Sequence, residues 1–229
     1  MVQVNIHSIK LGVGRCYVIQ GERTILIDAG GPRQAAHFRQ AMKALAIDLH
    51  SVRLIVITHG HWDHIGSARD IQDMTGARIA MHHRERDWLE ESMKVLSPAA
   101  TLWGHVVRAM MVPLLPLIHF PATNVNVVVG NEGASLLEYG IPGRVLYTPG
   151  HSAGSVSVLL DTGEAFVGDL AMNEFPLRLR PGLPIFAEDM EKVRDSWRRL
   201  LAEGAKTVYP AHGKPFAAEI IRKSLAPER

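Results

Sequence analysis

The run His59-Gly60-His61-Trp62-Asp63-His64, directly after the apolar segment Ile55-Val56-Ile57-Thr58, constrains this chain more than any other feature. A continuous apolar run reads as a strand covered on both faces, and the polar residues behind it lie on the loop at its end. Three imidazoles and a carboxylate within six residues crowd nitrogen and oxygen donors onto a backbone free to curl around a cation. Six consecutive residues do not easily aim all four side chains at one tetrahedral centre, so two ions fit better than one. Imidazole with carboxylate suits zinc, iron or manganese rather than calcium, which takes oxygen ligands.

Three later segments have the same character. Tyr147-Thr148-Pro149-Gly150-His151-Ser152 puts a histidine after an apolar strand, beside a Pro-Gly turn. Ala165-Phe166-Val167-Gly168-Asp169 ends a strand on glycine and aspartate, and Val208-Tyr209-Pro210-Ala211-His212-Gly213 repeats the strand-then-histidine arrangement. Singly each is weak, because a histidine at a strand end is more often hydrogen-bonded or solvated than a ligand.

Between these segments the pattern predicts short strands at 2–9, 16–20 and 24–28, a meander punctuated by glycine turns. Residues 33–45 carry Ala36, Phe38, Met42 and Leu45 at three- and four-residue spacings, which suits an amphipathic helix. A strand at 54–58, a helix through Met74 and a strand at 77–81 make a strand-helix-strand unit. Between residues 82 and 122 the pattern changes. A charged helix start at 84–94 leads into 102–120, rich in Met, Leu and Pro, and the stretch reads as an insertion forming a helical lid or a dimer contact. Strands return at 125–129, 135–137, 145–148, 156–160 and 165–167, then a helix at 190–202, a strand at 207–209 and a helix from 216. Both halves run strands first and then helix and strand, which predicts one domain of two β-sheets between helices.

Taken together, His59, His61, Asp63, His64, His151, Asp169 and His212, in that order and each at a strand end, resemble the ligand signature of the metallo-β-lactamase superfamily of hydrolases. The resemblance spans essentially all of residues 1–229. It implies an α/β fold, the four-layer αββα sandwich, with the site at one edge of the paired sheets. It also implies His59, His61 and His151 on one metal, Asp63, His64 and His212 on the other, and Asp169 bridging. Asp28, in Leu26-Ile27-Asp28-Ala29-Gly30, resembles the aspartate that orients a ligand histidine through its other ring nitrogen; a turn or N-cap role is the other reading.

Two divalent cations sharing a carboxylate lower the pKa of a bridging water towards neutrality and polarise a carbonyl, so no serine or cysteine nucleophile is required. The expected function is a dinuclear metal-dependent hydrolase whose metal-bridging hydroxide cleaves a small ester, thioester or lactone. Asp63 and Asp169 are the catalytic candidates, Asp63 orienting the hydroxide or shuttling its proton. The cofactors are two divalent ions per chain. Zinc is favoured, since di-iron flavoprotein members of the superfamily present a glutamate where His61 stands, and iron or manganese is the alternative. A different class is a non-hydrolytic relative, either a metabolite-binding sensor or a di-iron oxygen-handling protein with a flavin partner.

Within the resemblance, glutathione thioesterases carry a helical extension, whereas 17 residues follow His212 here. Acyl-homoserine lactonases carry a tyrosine soon after the bridging aspartate, whereas Leu170, Ala171, Met172 and Asn173 follow Asp169. True β-lactamases lack the full aspartate set and are exported. Specificity is expected from the insertion, where Met110, Met111, Leu114, Leu115, Leu117, Ile118 and Phe120 offer an apolar wall for a hydrophobic or acyl small-molecule substrate. Packing as core or in a homodimer is the other reading of these residues. His82, His83, His105 and His119 lack ligand spacing and are expected to be solvated or structural.

Twenty-five Lys and Arg against 23 Asp and Glu leave a net charge of +2, which argues against a nucleic-acid partner. The single cysteine, Cys16, forms no intramolecular disulfide and no secretory signal is visible, so a cytoplasmic location is expected. The greasiest segment, 109–120, is broken by Pro113 and Pro116 and falls short of the roughly 20 residues of a membrane span.

Overall fold

Alternating side chains in the first third of the chain build a meander of β1 (Asn5–Leu11), β2 (Gly14–Gln20) and β3 (Thr24–Ile27). The computed structural model describes residues 4–225, so the first two residues of the strand expected at 2–9 lie outside the described residues. Helix α1 (Ala35–Ala44) crosses to β4 (Val52–Val56), which pairs parallel with β3. The short α2 (Trp62–Ile65) and α3 (Ala68–Thr75) lead to β5 (Arg78–His82), parallel with β4. Then come α4 (Arg86–Glu90), α5 (Leu102–Met111) and a 3-10 stretch (Val112–Leu117), before β6 (Val127–Val129) completes a six-stranded sheet ordered β1-β2-β3-β4-β5-β6.

The second half forms another six-stranded sheet from β7 (Ala134–Ser135), β8 (Gly143–Tyr147), β9 (Val156–Leu160), β10 (Glu164–Met172), β11 (Thr207–His212) and β12 (Phe216–Ala217). Helix α6 (Met190–Ala202) makes the parallel crossover from β10 to β11, and α7 (Glu219–Leu225) follows. Successive strand side chains point to opposite faces, which gives three apolar layers. Val18, Leu26 and Ile55 pack outward with Phe38 and Met42 of α1 and Ile71 of α3. Ile19, Ile25 and Leu54 face inward against Val145, Val158 and Phe166 of the other sheet. On the far side Val193, Trp197 and Leu200 of α6 cover Leu159, Ala165 and Val208. This is the expected four-layer αββα sandwich.

Each fully buried Leu, Ile or Phe here contributes about 1.5–3 kcal/mol. The two sheets are also tied by a polar link: the Tyr17 hydroxyl of β2 donates to the Pro210 carbonyl of β11 at 2.6 Å, and the ring meets Phe166 and Tyr209 edge-on.

Some boundaries differ from expectation. The strand expected at 24–28 stops at Ile27 because Asp28 takes a left-handed φ of 59°. The one expected at 54–58 lies at Val52–Val56, and Thr58 instead donates its N–H to the Asp28 carboxylate. The strand expected at 165–167 runs on to Met172, and the one expected at 207–209 runs through His212. Asp169 therefore lies inside β10 and not past its end, whereas His212 is the last residue of β11. The reason is a disturbed register around Gly168, at φ 53°, which lets β10 kink without stopping. The helix expected over 84–94 ends at Glu90, with Ser92 at φ 52°. Residues 216–217 are a short strand rather than helix, and the strand expected to reach 137 gives way to a 3-10 turn at Leu137–Tyr139. Among the described residues no helix is long and apolar enough to cross a membrane.

Candidate metal centre

The loop after β4 (His59, His61), the short helix α2 (Asp63, His64), the loop after β8, the kinked part of β10 and the end of β11 bring the seven predicted side chains together in two adjoining groups. Donor atoms of His59, His61, His151 and Asp169 lie within 4.8 Å of one another, as do those of Asp63, His64 and His212.

In the first group, His59 Nε2 is 3.0 Å from His61 Nδ1, which is 3.1 Å from His151 Nε2. The opposite ring nitrogens are engaged elsewhere. His151 Nδ1 donates to the Phe186 carbonyl at 2.8 Å, so the lone pair of its neutral ring sits on Nε2. His59 Nδ1 lies 3.1 Å from the Thr58 hydroxyl, and His61 Nε2 lies 3.3 Å from that of Ser97. Burial holds all three rings in the neutral, ligating form: it pushes His59 well below the usual histidine range and lowers His151, and with His151 beside it His61 falls to about 3. Imidazole nitrogens converging at such distances need a shared ring proton or a cation between them, and His151 Nε2 offers only a lone pair.

In the second group, His64 Nδ1 donates to Asp28 Oδ2 at 2.8 Å, which turns Nε2 inward, 3.4 Å from Asp169 Oδ1. His212 Nε2 lies 3.2 Å from Asp63 Oδ2 and 3.3 Å from Asp169 Oδ1. Burial opposes charge on both histidines, but the carboxylates outweigh it: Asp28, Asp169 and Asp63 raise His64, and Asp169 and Asp63 raise His212 to about 10. Burial likewise opposes ionisation of the acids, yet His64 and His212 hold Asp63 at about 2 and Asp169 well below the usual range. Two ionised carboxylates thus draw positive charge into a buried site, and a divalent cation competes for the same donors as those protons.

The residues present fit such ions. His64 Nε2 and Asp169 Oδ1 are buried, face each other and make no hydrogen bond. Asp169 Oδ2 is 3.7 Å from His151 Nε2, so one carboxylate reaches both groups.

Asp28 takes the orienting role and not that of a helix cap. Besides His64 it accepts from Thr58, at 2.7 Å from the amide and 2.9 Å from the hydroxyl. A Cβ on residue 168 would come within 2.5 Å of that hydroxyl, which requires glycine there. Thr58, Ser97 and Trp88, whose ring stacks on His61 at 5.9 Å, were not legible as site residues. Thr58 had one available signal, its place between the apolar run and His59. Ser97 and Trp88 had none, since only folding brings them near.

A cavity of about 890 Å³ opens onto Asp63 and His212. Its walls include Met110, Met111, Leu114, Leu115, Leu117 and Ile118 of the insertion, as expected, together with Trp62, Trp103, Phe175 and Leu177. Phe120 is the exception: it is buried in the outer layer of the first sheet, with Ile71 and Leu89 in the same cluster. Among the other histidines, His82 is buried and bonds Asn131, while His83, His105 and His119 are exposed. Cys16 is buried, and burial raises its thiol pKa well above the usual range.

The profile of the metallo-beta-lactamase superfamily matches residues 9–212, from β1 to the last of the clustered histidines. The chain belongs to the metallo-beta-lactamase superfamily. Among curated members it is 23% identical to the Bacillus subtilis protein described as "Probable metallo-hydrolase YflN", over 96% of this chain and 88% of that one. It is 28% identical to the metallo-beta-lactamase fold-containing protein ST1585 of Sulfurisphaera tokodaii, over 96% and 82%. Among solved structures, that of ST1585 superimposes with a TM-score of 0.70 at 24% identity, covering 98% of this chain and 87% of that one. The BLEG-1 B3 metallo-beta-lactamase superimposes with a TM-score of 0.70 at 21% identity, over 94% and 95%. At such identities the structures show the shared fold. With the His/Asp cluster, the family makes this a metallo-hydrolase superfamily member with a metal-binding centre.

Proposed function

We propose that this protein is a dinuclear zinc hydrolase that cleaves a small ester, thioester or lactone bearing an apolar group. The observation that carries the reading is the cavity itself: a mainly apolar chamber lined also by Asp63 and His212 and by the Lys10–Glu174 ion pair. His59, His61 and His151 would hold one ion and Asp63, His64 and His212 the other, with Asp169 shared; when bound, such a pair supplies Lewis acidity and a water acidic enough to ionise near neutral pH.

The chain's own residues do the rest. Asp63 is 13% exposed where Asp169 is 7% and His64 1%, and it lines the cavity, which makes it the acid best placed to pass a proton to a leaving group. Met110, Leu114, Leu117 and Phe175 receive the apolar part of the substrate and exclude water around it. Methionine and leucine side chains adapt to tails of differing length. The single buried cysteine accords with a reducing cytoplasmic setting.

The test is metal analysis of the purified protein with a panel of thioesters, lactones and phosphodiesters in short- and long-chain forms. About two zinc per chain, with thioester or lactone cleavage that improves with tail length, supports the reading. Two iron per chain without hydrolysis, or cleavage of phosphodiesters alone, contradicts it.

A further inference from the structure

Glu85 is an acid at the start of the insertion that the chemistry above leaves unused. It is fully buried at the end of the 3-10 turn His83–Glu85. Burying a carboxylate is costly unless its oxygens find donors. The donors include two backbone amides from two different loops, Oε2 accepting from Gly60 N–H at 2.7 Å and Oε1 from Gly154 N–H at 2.5 Å, and the Ser152 side chain, next to His151, also bonds the carboxylate. Gly60 stands between His59 and His61, and Gly154 comes three residues after His151.

Both amides belong to glycines for steric reasons. A Cβ on residue 154 would lie 2.8 Å from Glu85 Cγ and 2.9 Å from Oε1, and one on residue 60 would lie 2.6 Å from the Trp88 ring. Trp88, one turn beyond Glu85, also stacks on His61. The two loops that Glu85 joins are those whose histidines must meet, with His61 Nδ1 3.1 Å from His151 Nε2. The second group takes its orientation from Asp28 through His64 and has no contact with this carboxylate.

We propose that Glu85 is a positioning residue of the first metal site, its carboxylate clamping the Gly60 and Gly154 amides so that His61 and His151 are held at ligating distance. The proposal rests on the metal-centre reading and assigns Glu85 no contact with substrate or ion. Gln at this position keeps the shape but only one acceptor, so one loop is released; Ala releases both. Removing a partner of this kind weakens metal binding about 10–100-fold, and the loss falls on one ion while the other stays at wild-type affinity.

The experiment is a titration of the metal-free protein with Co²⁺, followed by its visible ligand-field absorption, for wild type, Glu85→Gln, Glu85→Ala and a core control, Met42→Ala. The expected result is two binding steps in wild type and in Met42→Ala. In both Glu85 variants one step should be weakened tenfold or more with an altered spectrum, more in Ala than in Gln. Glu85 variants that match wild type in both steps overturn the clamp and leave the metal centre standing. Both steps weakening together, in proportion to the fall in Tm, make Glu85 structural only and also overturn it. Wild type taking up no Co²⁺ removes the metal-centre reading itself, and the clamp with it.

Discussion

Asp28 shows how one residue can serve backbone and chemistry together. Its left-handed φ of 59° ends β3 and lets one carboxylate hold both the Thr58 amide and His64 Nδ1. Asp28→Asn is therefore expected to weaken uptake of one ion about 10–100-fold, measured by competition with a chelator dye. Glu85 makes a prediction in pH. Burial raises its folded-state pKa above the ordinary 4.5, so the folded chain holds that proton to higher pH than the unfolded chain. The stabilisation is complete below 4.5 and lost as pH rises through the folded value. On melting metal-free protein from pH 4 to 7, the Tm of Glu85→Gln relative to wild type should rise with pH; a flat difference contradicts this. At this scale His59 to His64 were legible because the donors are adjacent in the chain, whereas Glu85 meets its loops across 25 and 69 residues and leaves no local pattern.

Among the elements, β10 departs most instructively from its sequence pattern. The apolar run Ala165-Phe166-Val167 predicts a strand ending at Val167, yet parallel pairing with β11 carries it to Met172 across the kink at Gly168, and that kink brings Asp169 to its partners. Glycine before aspartate signals a turn as readily as a bulge, so the local sequence could not distinguish them. By contrast β9 and α6 have the predicted boundaries, because a short run buried on both faces and bounded by turn residues, or a strong helical face, leaves little choice. The link between β2 and β11 is testable. Tyr17→Phe leaves the Pro210 carbonyl without its donor and is expected to cost about 1–3 kcal/mol, read from urea unfolding of wild type and variant.

For the molecule as a whole, stability and selectivity come from different places. The three apolar layers are spread over both sheets, while most of the cavity wall comes from the insertion and the loop after β10, with Trp62 and the β1–β2 turn completing it. The Met and Leu richness of the insertion made part of that wall legible, but Phe175 and Leu177 were not, since nothing in a proline-bearing loop that mixes leucine with arginine marks it as a wall. Met110→Ser should raise KM for long-chain substrates several-fold and leave kcat and Tm near wild type, because Met110 is 68% exposed and lines the cavity rather than a core layer. An equal fall in kcat for short and long substrates contradicts that role. The most direct test of the metal centre is anomalous diffraction at the zinc absorption edge from crystals grown with zinc. Two peaks are expected, one among His59, His61 and His151 and one among Asp63, His64 and His212, with Asp169 between them. One peak alone, or none within reach of these side chains, contradicts the account.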